Sequence, residues 1–301
     1  MPKINIGTIN LHYESLGDRK DPAVLLIMGL GRQMIAWPDE FCQSIAAAGY
    51  HVIRFDNRDI GLSDKHGHLR PNLLKLLVKY QLGFKITTPY CLLDMAADSL
   101  ALLDALCIEQ AHIVGISMGG MIAQIMAATA QDRTKSLTSM MSSSGAKHLP
   151  LPKKRILMRL LTPPRKANHA EQVAHSVKIM RMISGTTHKD TEAELRDNIE
   201  KSLARSHYPL GFVRQAAAII ATGDRSHLLS RISAPTLVIH GKEDPLASVA
   251  GGIDTARKIP GATLKLIDGL GHTLPASILP TLSDLVIDHV SRSENTCYKG
   301  L

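Results

Sequence analysis

Three side chains decide what chemistry this chain can do: a serine in a tight turn, a histidine in a glycine-rich loop and an aspartate after a strand. Ser117 stands in Gly115-Ile116-Ser117-Met118-Gly119. A serine hydroxyl attacks a carbonyl only when a base removes its proton, and the imidazole that does so needs an anion to fix its tautomer and stabilise its charged form. His272, in Asp268-Gly269-Leu270-Gly271-His272-Thr273-Leu274-Pro275, is the candidate base, because the glycines let the ring turn toward a sheet edge. Asp244, in His240-Gly241-Lys242-Glu243-Asp244-Pro245, is the candidate acid, since Pro245 holds the preceding backbone extended and directs the carboxylate. Glu243 beside it and Asp268 near His272 remain chemically competent alternatives. The chain order serine, aspartate, histidine matches one of the known orders of such triads.

The surrounding elements give the serine pattern its weight. A bare Gly-x-Ser-x-Gly arises by chance in roughly one chain in ten of this length. Here the apolar run His112-Ile113-Val114 precedes it and a small-residue helical stretch from Met121 to Ala128 follows. The pattern predicts a strand, a sharp turn and a helix, with Ser117 strained, exposed and above the positive end of the helix. Gly115 and Gly119 carry no Cβ to collide across the turn, and Gly120 allows the helix to pack closely on its neighbouring strand. The backbone N–H of Met118 is then one donor of an oxyanion hole. The second is assigned to Leu30, in the turn Met28-Gly29-Leu30-Gly31 that follows a strand from Ala23 to Met28. Met28, Trp37, Met121 and Leu246, with Leu30 and Met118, read as the lining of an apolar substrate pocket.

The wider chain must bring these segments together. An opening hairpin is predicted over Lys3 to Ile9 and Leu11 to Leu16. Strands are predicted over Ala23 to Met28, His51 to Asp56, Ala111 to Ile116, Lys135 to Ser142, Thr236 to His240 and Ala262 to Ile267. Helices fall between them, over Asp39 to Ala48, Leu92 to Leu106, the stretch from the serine turn to about Ala130, Val249 to Lys258 and Leu279 to Val290. This alternation predicts an α/β fold, a mostly parallel sheet covered by helices on both faces. The pattern stops between Gly145 and Arg225. There Ile156 to Leu161, Val173 to Met182, Glu192 to Leu203 and Phe212 to Ala221 look helical, with Pro150, Pro152, Pro163, Pro164 and Pro209 as breakers. The expected organisation is a core of residues 1–144 and 226–301 with a helical cap inserted over 145–225, covering the strand ends where open α/β sheets bind ligands. Pro71 to Gly83 reads as a short amphipathic helix, leucines on one side and Lys75 and Lys79 on the other: a packed surface helix, a substrate chute or a membrane-facing lip.

Composition narrows the classes. With 301 residues and 45% hydrophobic content the chain can bury one large core and an appended layer. No apolar run approaches the roughly 18 residues of a spanning helix and the start Met1-Pro2-Lys3-Ile4-Asn5 lacks a leader pattern, so a cytoplasmic protein without stable membrane insertion is expected. Cys42, Cys91, Cys107 and Cys297 are scattered, and the 14 histidines show no metal-ligand spacing, His66-Gly67-His68 lying in a polar loop; neither metal nor cofactor is expected. The formal charge of +8 is concentrated. Residues 145–225 hold 15 Lys and Arg against 7 Asp and Glu, which suits a solvated basic face or attraction of anionic partners. With 4% aromatic residues and no recognition pattern, nucleic acid is not an expected partner. Nothing in the pattern fixes an oligomeric state.

Taken together these residues resemble the α/β-hydrolase superfamily over nearly the whole chain, and within it the carboxylesterase-like branch that includes anthracycline methylesterases. Three stretches carry the likeness: Gly29 to Gly31 followed by Trp37-Pro38-Asp39-Glu40-Phe41; Val52 to Ser63, similar to an Asp-x-Arg-Gly-x-Gly-x-Ser pattern but with Asp59 in the usual glycine place; and Gly115 to Gln124. Met28 replaces a histidine that many members carry before the oxyanion residue. The resemblance implies an eight-stranded, mostly parallel sheet with a helical cap, and a triad of Ser117, Asp244 and His272. Some relatives carry the acid at the site that reads Met141-Ser142-Ser143-Ser144 here, without a carboxylate, which favours Asp244. A serine at the turn argues against the dehalogenase and epoxide-hydrolase members. The expected activity is hydrolysis of carboxylic esters of small to medium apolar substrates through an acyl-serine. The alternatives are a C–C bond hydrolase or cofactor-free haloperoxidase on the same triad, and a non-catalytic ligand-binding protein with a hydrolase shell.

Overall fold

The computed structural model describes residues 2–67, 69–161 and 168–297. Its strands are β1 (Lys3–Asn5), β2 (Asn10–Leu16), β3 (Ala23–Ile27), β4 (His51–Phe55), β5 (Ala111–Ile116), β6 (Thr134–Met140), β7 (Thr236–Gly241) and β8 (Thr263–Ile267). They form one eight-stranded sheet in the order β1-β2-β4-β3-β5-β6-β7-β8. β1 with β2 and β2 with β4 are antiparallel; every other neighbouring pair is parallel. The sheet is therefore mostly parallel, as the strand and helix alternation predicts. β5 lies at its centre and is buried at every residue, its alternate side chains entering opposite layers, Ile113 one and Val114 the other.

The core helices are α1 (Asp39–Ala47), α2 (Leu73–Gln81), α3 (Leu92–Ala105), α4 (Met118–Thr129), α9 (Ser226–Leu229), α10 (Val249–Lys258) and α11 (Leu279–Cys297). One apolar layer packs β-sheet residues against Leu92, Met95 and Leu102 of α3, Ile122 and Met126 of α4 and Leu229 of α9. The other packs the opposite face against Phe41 and Ile45 of α1 and Leu282, Val286 and Val290 of α11. The apolar spacing in each helix puts these side chains on one stripe, so burial and helix formation reinforce one another.

Between β6 and α9 stand four helices, α5 (Lys154–Leu161), α6 (His169–Ile183), α7 (Glu192–Arg205) and α8 (Pro209–Thr222), where the sequence predicts an insertion. Asn168 and Thr191 begin α6 and α7 with reciprocal caps: each side-chain oxygen accepts the N–H of a glutamate three residues on, whose carboxylate takes the capping residue's own N–H. Val173, Val177, Leu195 and Ile199 give these two helices a small core of their own.

α8 is tied to the loop after β4 by a buried ion pair. Arg214 of α8 donates to Asp59 Oδ1 at 2.7 Å, with both side chains fully buried. Asp59 also accepts from the Tyr90 hydroxyl at 2.7 Å and the His66 N–H at 2.6 Å. Its φ of 71° lies in the left-handed region that favours glycine, so an aspartate there must be held by its partners. Burial, with Asp59 beside it, pushes the Tyr90 phenol far above its ordinary range, so it stays a donor.

Several boundaries differ from the pattern. β6 ends at Met140, since Met141 at φ 47° turns the chain out of the sheet, and α11 runs beyond Val290 to Cys297. In α2 only Leu73 is buried; Leu74 and Val78 are exposed on the same side as Lys75 and Lys79. Pro163, Pro164 and His68 lie outside the described residues. Among the described residues no group of three or more His, Cys, Asp or Glu is placed to hold a metal ion, and no helix is long and apolar enough to cross a membrane.

Restoring the common residue with Asp59→Gly relieves about 1 to 3 kcal/mol of backbone strain but leaves Arg214 charged and uncompensated, a loss of about 3 to 5 kcal/mol. The expected outcome is a net lower urea midpoint for unfolding. An unchanged or raised midpoint would show that the pair does not anchor α8.

Candidate active site

Ser117 occupies the turn between β5 and α4 at φ 56° and ψ −119°. Its N–H donates to Met140 O at 2.8 Å and the Ser142 hydroxyl donates to its carbonyl at 2.8 Å, so both backbone groups of the strained residue are satisfied. The turn is too crowded for side chains on either flank. A Cβ at Gly115 would run into the Gly119 carbonyl, and one at Gly119 into the carbonyl of Ile27 at the end of β3. A Cβ on Gly29 would lie 3.1 Å from that of Ser117, so the turn after β3 rests against the serine. Leu30 lies in that turn, and Met118 opens α4, where its N–H has no acceptor within the helix.

His272 and Asp244 come to Ser117 from the loops after β8 and β7. His272 Nε2 is 3.0 Å from Ser117 Oγ, and its Nδ1 is 2.5 Å from Asp244 Oδ2. The Asp244 side chain is fully buried; its Oδ1 accepts the N–H groups of Leu246 at 2.9 Å and Ala247 at 2.8 Å. Behind it, His240 Nε2 donates to Ala247 O at 2.8 Å and lies 3.4 Å from Asp244 Oδ2. Burial alone would raise the Asp244 pKa, but the charge and hydrogen bonds of His272 and His240 outweigh it and hold the carboxyl well below the usual carboxylate range. The two alternative acids point elsewhere. Glu243 accepts from the Thr186 N–H at 2.7 Å and its hydroxyl at 2.8 Å, and Asp268, 84% exposed, pairs with Lys242 at 2.7 Å. The His272 loop is held against the end of α6: the His272 N–H donates to Ile183 O at 2.7 Å, and a Cβ on Gly271 would collide with that same carbonyl.

Residues 22–275 match the family model of the alpha/beta hydrolase fold. The chain belongs to the α/β hydrolase family. Rhodomycin D methylesterase DauP from a Streptomyces species is 30% identical, covering 93% of this chain and 95% of its own. DnrP, a rhodomycin D methylesterase of Streptomyces peucetius, is 29% identical over 93% and 95%. A 2-hydroxy-6-oxononadienedioate/2-hydroxy-6-oxononatrienedioate hydrolase of Burkholderia vietnamiensis is 27% identical over 88% and 85%. Among solved structures, an enol-lactonase from Burkholderia xenovorans shares the fold with a TM-score of 0.73 at 22% identity, covering 96% of this chain and all of its own.

In this α/β hydrolase a cavity of about 1390 Å³ opens beside Ser117 and His272. Met28, Leu30, Met118, Met121 and Leu246, all proposed from sequence, line it. Trp37 does not. It is fully buried, stacks on Phe41 with ring centroids 5.4 Å apart, and its carbonyl accepts from Arg54 at 2.8 Å. The reading of Trp37 as a pocket residue is therefore corrected: it anchors the start of α1 in the core, and composition alone does not separate apolar core from apolar cavity wall.

Four contributors had no role in the sequence reading. Asn57 Nδ2 donates to Met28 O at 3.0 Å, and Gln215 of α8 accepts the Gly31 N–H at 2.9 Å while donating to Arg58 O at 2.9 Å. Together they fix the turn that carries Leu30. His240 supports the acid, as above. Arg32 lines the cavity; unlike Arg54 and Lys201 it has no carboxylate partner among the described residues, its recorded contact being Met180 Sδ at 3.7 Å. Burial lowers its pKa from the ordinary guanidinium value. The Asp56-Asn57-Arg58 stretch was visible as a family mark, whereas no periodicity could say that Gln215 turns inward.

The geometry assigns the carboxylate beside His272 to Asp244. Asp244→Asn should slow capture of Ser117 by a fluorophosphonate by a factor on the order of 10⁴, by analogy with the protease triad. Asp268→Asn should leave the labelling rate within about twofold, as expected for an exposed pair. The reverse ranking by mass spectrometry would move the acid to Asp268.

Proposed function

We propose that the protein is a carboxylic ester hydrolase that works through an acyl-serine. The observation that carries this reading is the unbroken contact from Ser117 Oγ to His272 Nε2 and from His272 Nδ1 to Asp244, at 3.0 Å and 2.5 Å. Methylesterase relatives that cover 93% of the chain support it.

In the proposed cycle His272 takes the Ser117 proton as Oγ attacks the ester carbonyl, and Asp244 holds Nδ1 and stabilises the imidazolium. The N–H groups of Leu30 and Met118 receive the oxyanion; each such donor is worth about 3 to 4 kcal/mol at the transition state. His272 then gives its proton to the departing alcohol, and activates water to release the acid. Met28 in place of a histidine leaves the hole to backbone donors. The apolar wall of Met28, Met121 and Leu246 suits small to medium apolar esters, with methyl esters the first class to test. Arg32 adds a cation for a carbonyl or carboxylate substituent. The carbon–carbon hydrolase relative supports one rival on the same triad, cleavage of an activated C–C bond.

Short p-nitrophenyl and methyl esters should be hydrolysed by the wild type, and turnover should be abolished in Ser117→Ala and His272→Ala while circular dichroism stays unchanged. Wild-type-like rates in either variant would overturn the assignment; turnover of a vinylogous diketone with none of any ester would favour the C–C reading. Because Asp244 is held below the usual carboxylate range, it is already ionised when the pH is moderately acid. The kcat/KM profile should therefore fall on its acid side in first order, with no contribution from Asp244. A second-order fall would mean that Asp244 titrates in the same range.

A further inference from the structure

Among the described residues, the large hydrophobic side chains that stand exposed are confined to two stretches. Leu69, Leu74, Val78, Leu82, Phe84 and Leu93 lie in one, Leu151 and Met158 in the other. These are not marginal exposures: Leu74 is 70% accessible, Phe84 62% and Leu151 72%. Isolated exposed leucines are ordinary on a protein surface, but concentration in two segments marks a surface with a partner.

The charge in the same two stretches has one sign. From Lys65 to Leu93 the sequence contains Lys65, Arg70, Lys75, Lys79 and Lys85 and no acidic residue. From Gly145 to Ala170 it again contains no acidic residue, with Lys147, Lys153, Lys154, Arg155 and Arg159 among its cations. The stretches meet in space: Lys147 Nζ lies 5.4 Å from the centre of the Tyr80 ring of α2, and Tyr80 packs against Gly223, where a Cβ would come within 2.8 Å. On α2 the outward face interleaves Leu74 and Val78 with Lys75 and Lys79. Aliphatic tips with lysine stems between them match the boundary of a bilayer, where the apolar groups enter the acyl region and the ammonium groups extend to the headgroups.

We infer that α2 with its flanking loop and the outward side of α5 form a docking surface for an anionic phospholipid bilayer. A second copy of the chain is the poorer occupant, because it would set one cationic face against another. The placement also suits the cavity. Pro152 and Leu160 line the wall beside Ser117, while Leu151 and Met158 on the same segment face outward, so docking would bring the cavity rim to the lipid, from which apolar molecules partition. The docking itself does not depend on the esterase reading.

The full chain is sedimented with vesicles of phosphatidylcholine and with vesicles that also carry about 30 mol % phosphatidylglycerol. Binding is expected to the anionic vesicles, at least about tenfold stronger than to neutral ones, and weakening as salt rises. Leu74→Ser with Phe84→Ser, and separately Lys75→Glu with Lys79→Glu, should each lower the partition coefficient by about tenfold or more; these side chains are exposed, so the fold should tolerate the changes. Lys265→Glu, on the edge strand β8, is the control and should change it by less than about twofold. Equal binding to neutral vesicles, no binding to either, or anionic binding that survives both paired variants would overturn the proposal. So would light scattering that shows a dimer dissociated by the leucine and phenylalanine substitutions, which would assign the face to a second copy.

Discussion

The backbone of Ser117, held at φ 56° between β5 and α4, is the constraint on which the rest of the site depends. A non-glycine residue there costs about 1 to 3 kcal/mol, and the surroundings hold it by leaving no alternative. The missing side chains at Gly115 and Gly119 let the first turn of α4 press against β5 and the end of β3. The same closeness brings the Gly29 turn against the serine. Strain at one residue thereby goes with two things at once: the direction of the hydroxyl toward His272, and the nearness of the Gly29 turn.

The helices between β6 and α9 hold two loops that meet at Ser117. The α6 carbonyl at Ile183 holds the His272 loop, and Gln215 of α8 holds the Gly31 turn. The His272 loop and the Gly31 turn thus both lean on helices of which α8 is itself fastened by Arg214 and Asp59. At a backbone conformation that favours glycine, the Asp59 carboxylate compensates a buried guanidinium where α8 meets the loop after β4. Arg205 of α7 makes a second such tie, donating to Asp56 and Gln33 at 2.7 Å each. Asp56 in turn accepts the Met34 N–H at 2.8 Å, so this ion pair ends on the segment that leads from the Gly29 turn to α1.

Electrostatics in the site follow from burial. Asp244 sits where an unpaired charge could not remain, and His272, His240 and two backbone N–H groups keep it ionised. A carboxylate so held fixes the imidazole beside it, with Nδ1 toward Asp244 and Nε2 toward Ser117. Glu243 and Asp268, equivalent to Asp244 as chemical groups, are exposed and engaged with Thr186 and Lys242. Position alone separates the three.

Much of this was legible along the chain because the signals were local. Apolar runs of strand length alternating with helical stripes specify a layered α/β sheet, and Gly-x-Ser-x-Gly between a strand and a helix specifies a strained turn, since both follow from sterics and periodicity within a few residues. The sequence by itself also determined a short list of candidates for base and acid. It could not say which apolar residues face a cavity: Trp37 and Met28 are alike in composition terms, and only packing sends one into the core and the other to the wall. It favoured Asp244 without removing Glu243 and Asp268 as alternatives, and it did not find Gln215, Asn57 and His240, because these contacts arise where segments far apart in sequence meet. Contacts of that kind are fixed by how layers settle on one another, and tertiary structure alone decides them.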